Sequence, residues 1–151
     1  MKQVVDLTDI AKAIVRESHD QGIKITTLGL FKLTYFVILD LYANYPDVSV
    51  NRVDFENWDY GAFPPLISRY FGRAVGEIDE YNLPKNDQSF LKTPDTAESI
   101  RYIVDKYRDT TTQELCELTK RTECYKNTKR GEKISNSSLR REAIRYFRRE
   151  L

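Results

Sequence analysis

Leu28-Gly-Leu-Phe-Lys-Leu-Thr-Tyr-Phe36 opens an apolar run that continues to Tyr42. A helix that is apolar on most faces has no side to turn to water, so other elements must surround it. The run is about fifteen residues long and carries Lys32 and Asp40. It falls short of the roughly twenty apolar residues needed to cross a bilayer. It therefore reads as the central buried helix of a mainly α fold. The expected architecture is a compact, single-domain helical bundle around residues 28–42, with a short β-hairpin or an extended segment near 48–58. A length of 151 residues suits one domain spanning 1–151 and is enough to bury a real core.

The rest of the chain supplies partners for that helix. Leu7, Ile10, Ala11, Ile14 and Val15 recur at helical spacing, with Asp6 or Thr8 placed to cap the helix and Gly22 to end it. Thr26 or Thr27 opens the central helix, and Pro46 stops it soon after Tyr45. Val48, Val50, Val53 and Phe55 alternate loosely, as in a strand or an extended loop. Pro64-Pro65 sets up a third helix faced by Leu66, Ile67, Tyr70 and Phe71 and ended by Gly72. Residues 73–92 are polar and irregular and read as a loop. Thr93-Pro94-Asp95 starts a helix whose buried stripe is Ile100, Ile103, Val104 and Tyr107. Thr111 and Glu114 have capping-box spacing before Leu115 and Leu118. A basic loop, Lys126 to Lys133, precedes a last helix over about 137–149. Leu139, Ala143, Tyr146 and Phe147 face inward there, and Arg140, Arg141, Arg145, Arg148 and Arg149 take the remaining arc.

Composition narrows the chemistry. Net charge is +1, but from Leu115 onward there are eleven Lys/Arg against five Asp/Glu, and before it thirteen against eighteen. That split is either two solvated faces of opposite sign or a basic C-terminal surface that meets an acidic partner or a phosphate backbone. Cys116 and Cys124 are eight apart, match no metal motif, and read as reduced thiols of a cytoplasmic protein. An acid at position 6 interrupts any apolar stretch at the N-terminus, so it does not read as a signal peptide. His19 is the single histidine, which removes His-based metal clusters and makes a Ser-His or Cys-His pair depend on one polar-face residue. No P-loop, dinucleotide fingerprint or zinc-protease motif is present. No catalytic residue, metal ligand or cofactor is expected, and the chain does not read as an enzyme.

Two features remain. In Trp58-Asp59-Tyr60-Gly61 a glycine follows two aromatics and precedes Pro64-Pro65, which suggests a backbone position needing positive φ or close approach. The aromatics are either core packers or the lining of a groove that receives a partner. Lys32, inside the apolar run, snorkels to water, pairs with Asp40 or Asp59, or serves as a catalytic lysine; a pair is favoured over a catalytic lysine, because a charge in such a run is costly alone.

The order of these segments resembles the Panacea domain, also called the SocA-like antitoxin family of bacteria and their phages. Its members show a leucine-rich K-L-x-Y-F helix, here Lys32-Leu-Thr-Tyr-Phe36, then an aromatic W-x-Y-G segment, here Trp58 to Gly61. The similarity runs from about Ile10 to Phe147, with a closing segment matched at Leu115, Leu118, Thr119, Gly131, Ile134, Tyr146 and Phe147. The chain departs from the pattern at Lys120, where the family has His, at Tyr125, where Trp is usual, and at Ala62, where the first Pro stands. The resemblance implies an antitoxin of a type II-like toxin–antitoxin system that neutralises a cognate protein toxin by direct binding, or as an adaptor delivering it to a AAA+ protease. The expected contact residues are Lys32, Trp58, Asp59, Tyr60, Phe63, Lys120, Arg121 and Tyr125, forming an aromatic groove with a cationic rim. Neither nucleic acid nor membrane is an expected partner. The alternative is a nucleic-acid-binding regulatory protein that uses the basic C-terminal surface.

Overall fold

The computed structural model describes residues 3–71, 77–78 and 93–151, and these are mainly helical. In chain order they form β1 (Gln3–Asp6), α1 (Leu7–Asp20), β2 (Ile25–Thr26), α2 (Thr27–Asn44), β3 (Val48–Asn51), β4 (Glu56–Trp58), β5 (Gly61–Phe63), α3 (Pro65–Tyr70), β6 (Glu77–Ile78), α4 (Pro94–Lys106), α5 (Thr112–Lys120), α6 (Glu123–Lys126) and α7 (Asn136–Tyr146).

Thr26 caps α2: its Oγ1 accepts the Gly29 N–H at 2.9 Å and satisfies one of the orphan donors of the first turn. Every residue from Gly29 to Leu41 is then buried, more than three turns, so every face of the helix is covered. The cover comes from α1, α4, α5, α7 and β5. Phe36 shows how the core closes, stacking on Tyr107 with centroids 4.9 Å apart and meeting Tyr35 and Phe147 at 5.7 and 6.2 Å. Tyr45 follows the helix, donating its N–H to the Leu41 carbonyl, before Pro46 bars continuation. Among the described residues no helix is long and apolar enough to cross a membrane.

The β structure differs from the expected segment at 48–58. Val48–Asn51 does form a strand, but it pairs in parallel with β1, in register Gln3↔Val48 to Asp6↔Asn51. The hairpin lies later, between β4 and β5, in register Glu56↔Phe63 to Trp58↔Gly61. β1 itself was not expected, because Gln3-Val-Val-Asp6 alternates too briefly to be read from pattern alone. β2 pairs with β6 antiparallel, and the remainder of the expected 73–92 loop, with the Gly72 stop, lies outside the described residues.

Several caps differ from expectation. Asp6 stands at the N-cap of α1 without a side-chain cap bond; its carboxylate is taken by Arg52, which sits at φ 64° in the turn after β3. Thr93 precedes α4 without a capping bond, and its hydroxyl is buried without a partner. Thr111 does cap α5, accepting the Glu114 N–H at 3.1 Å.

The last helix ends at Tyr146, three residues short of the expected limit. Tyr146 is half exposed and donates to Glu123, where an inward position was expected. Arg149 is not on a solvated arc: its guanidinium is bidentate to the buried Asp40, at 2.8 Å for each bond. Cys116 and Cys124 are both free and buried.

Candidate binding site at the hairpin turn

The β4–β5 hairpin is held on both of its outer edges. Asn57, on β4, turns its backbone toward the 131–132 segment, donating to Glu132 O at 3.0 Å and accepting from Gly131 N at 2.6 Å. Its side-chain Nδ2 donates to the carbonyls of Tyr125 and Thr128. On the opposite edge, Ala62 is buried, and its backbone groups find side chains instead of a strand. Its N–H donates to Thr119 Oγ1 at 3.2 Å, and its carbonyl accepts from Lys32 Nζ at 2.7 Å. A buried edge left open would orphan these groups, so Lys32 and Thr119 do the work of a missing neighbour strand.

This contradicts both expectations for Lys32. The residue is fully buried, so it does not snorkel, and neither Asp40 nor Asp59 is its partner. Asp40 is taken by Arg149, Ser99 and Asn44, and Asp59 by Arg130. An ammonium spent on a strand-edge carbonyl thirty residues away leaves no mark in the pattern of charges. Burial lowers the Lys32 pKa to about 8; the Cys116 thiol opposes that shift, and the like charge of Lys120 adds to it.

Asp59 and Tyr60 form the turn, followed by Gly61 at φ 101°. Only glycine fits there. The conformation is one that other residues rarely adopt, and a Cβ would stand 2.2 Å from Thr119 Oγ1 and 3.0 Å from the Cys116 carbonyl. The turn is fixed from the far side as well. Tyr125 donates its hydroxyl to the Trp58 carbonyl at 2.6 Å. Arg130 is bidentate to Asp59, at 2.7 and 3.0 Å, and its guanidinium lies 5.5 Å from the Trp58 ring centroid. That pairing holds the Asp59 carboxyl below its ordinary pKa. The Trp58 indole N–H donates to Glu56 Oε1 at 2.9 Å.

Six of the eight expected residues are thus gathered at this turn. Trp58, Asp59 and Tyr60 form it, Tyr125 braces it, Lys32 lies beneath it, and Lys120 bears electrostatically on Asp59 and Lys32. The aromatics stand on a turn, with Tyr60 71% exposed, and do not line a groove. Phe63 points back to the core, edge-on to Phe31 at 5.6 Å. Arg121 lies apart from the turn, beside a shallow depression it shares with Glu117 and Leu118. Thr119, Arg130 and Asn57 were not expected; the one sequence signal for Arg130 was its place in the basic loop next to Gly131. Among the described residues no group of acids, Cys and His could hold a metal ion.

Comparison with protein-family models, curated proteins and solved structures finds no match to this chain.

Proposed function

We propose that this protein works by stoichiometric protein–protein binding, with the 58–61 turn as its contact, and that it is an antitoxin that neutralises a cognate protein toxin by covering the toxin's active surface. One observation carries the binding reading: Tyr60 is 71% exposed on a turn whose backbone is tied down on both sides. An exposed aromatic costs free energy in water, and one held rigidly loses little entropy on docking, which is what makes Tyr and Trp effective anchors. The antitoxin reading rests on the resemblance of Leu28–Phe36 and Trp58–Gly61 to the Panacea pattern. With it go a cytoplasmic setting, a bundle packed around α2, and delivery of the toxin to a AAA+ protease as the variant mechanism.

The nucleic-acid alternative has fewer cations than the sequence suggests. Arg149 is spent on Asp40, and Arg145 stands 3.6 Å from Glu123. The test is a growth-rescue assay with the toxic product of a neighbouring gene. Folded Tyr60→Ala should fail to protect, while Arg141→Ala and Arg148→Ala should protect as wild type does. Protection by Tyr60→Ala, lost instead in the arginine variants and weakened steeply by salt in binding assays, would overturn the reading in favour of phosphate contacts.

A further inference from the structure

α6 and α7 enclose a cleft of about 340 Å³, which lies at the lower end of the roughly 300–1,000 Å³ typical of small-molecule sites. It involves none of the hairpin residues. Glu142 lines it while being 6% exposed. Its Oε1 accepts the Cys124 N–H at 2.9 Å. Its Oε2 has no partner among the described residues, and the residue lines the cleft. A carboxylate so far from bulk water, with a single hydrogen bond, retains unspent acceptor capacity for a charged donor. The rim is positive on balance, with Arg141 and Arg145 against Glu123. Arg141 reaches the Ser138 hydroxyl at 3.2 Å and pairs with no carboxylate among the described residues. Arg145 stands 3.6 Å from Glu123. Ile144 and Tyr146, each about half exposed, supply apolar wall.

We propose that this cleft binds a small dipolar ligand, its ammonium or guanidinium on Glu142 and its carboxylate or similar anion on Arg141. A simple cation would gain the floor but meet Arg141, and a simple anion would gain the rim but meet Glu142. A ligand carrying both charges satisfies both, through charge-assisted hydrogen bonds.

The probes are 6-aminohexanoate and 4-aminobutanoate, which carry both charges at two spacings, with hexanoate and pentane-1,5-diamine as the single-sign controls. In amide-resolved NMR titrations of the whole chain, at least one zwitterion should shift the Cys124 amide saturably, and both controls should bind about tenfold weaker or worse. Glu142→Gln keeps an acceptor for Cys124 N–H but removes the charge, and should weaken binding about tenfold; exposed Arg141→Ala should do the same. Should Glu142→Gln fail to fold, Arg141→Ala and the controls decide. The proposal is overturned if neither zwitterion moves Cys124, if the controls bind as well, or if Arg141→Ala retains wild-type affinity.

Discussion

Replacing Arg149 with alanine strands a carboxylate in the core. Asp40 is 2% exposed and accepts four hydrogen bonds: two from Arg149 at 2.8 Å, one from Ser99 Oγ at 2.6 Å and one from Asn44 Nδ2 at 3.0 Å. The guanidinium also lies 3.7 Å from the Tyr102 ring centroid and donates to the Tyr45 hydroxyl. The two bonds lost from Asp40 are charge-assisted, worth roughly 1.5–3 kcal/mol each, and the ring contact adds about 1 kcal/mol. Ser99 and Asn44 remain, and the Arg149 side chain is 18% exposed, so water reaches part of the vacated space and reduces the loss. The net expectation is about 3–4 kcal/mol, within the usual range of about 3–5 for breaking a buried pair from one side. At roughly 2–4 °C per kcal/mol for a domain of this size, Tm should fall by about 10 °C. In urea the midpoint should drop with little change in slope. Combining Arg149→Ala with Asp40→Asn should cost about 2 kcal/mol less than the sum of the single losses, because the double variant no longer buries an unpaired charge. A loss below about 1 kcal/mol, the size expected of a solvated surface arginine, or strict additivity in the cycle, would refute the reasoning.

Gly61→Ala should displace the hairpin or destabilise the fold by more than about 2 kcal/mol, since it forces a positive-φ conformation and a 2.2 Å approach to Thr119; unchanged Tm and unchanged Trp58 fluorescence would contradict this. Lys32 has a folded pKa of about 8 against an ordinary value of 10.5, so the unfolded chain binds the extra proton between those limits and the Lys32 contribution to stability rises with pH there. Relative to Lys32→Met, the wild type should gain about 2 kcal/mol between neutral pH and about pH 9.5 in denaturant titrations, and a flat difference would count against the lowered pKa. Phe36→Ala, in a ring cluster that leaves it 2% exposed, should cost about 3–5 kcal/mol, and soluble protein with an unshifted midpoint would place that residue outside the core.

The buried helix α2 was legible as a helix because its signal is local and redundant. A stretch apolar on every face admits few placements, and the Thr26 cap and Pro46 stop bracket it within the same segment. β1 was not legible, because a four-residue parallel strand takes its stability from Val48–Asn51, more than forty positions away. The last helix misled for a related reason. A sequence arc of arginines carries no sign of which one is taken by a buried acid, and Arg149 meets Asp40 only once the chain after α7 folds back over α2. At the site, Gly61 announced a special backbone position and has one, φ 101°. What the pattern could not show was its cause, the approach of Thr119 and the Cys116 carbonyl from α5.

A two-stranded hairpin is marginal alone, and one with a buried edge is worse, because its outward carbonyls and N–H groups lose water without gaining a strand. This chain closes one edge with the backbone of residues 131–134 and the other with two side chains, Lys32 and Thr119, rooted in helices α2 and α5. Ala62 matters in that arrangement: a proline in its place would have no N–H to give Thr119. The ammonium of Lys32 brings three donors where one carbonyl needs one, and burial lowers its pKa accordingly. A methionine at 32 would fill the same space without a buried charge, but it would leave the Ala62 carbonyl without a donor. Retaining a costly lysine there makes sense if the position of the 58–61 turn, and with it the exposed Tyr60, is what the residue secures.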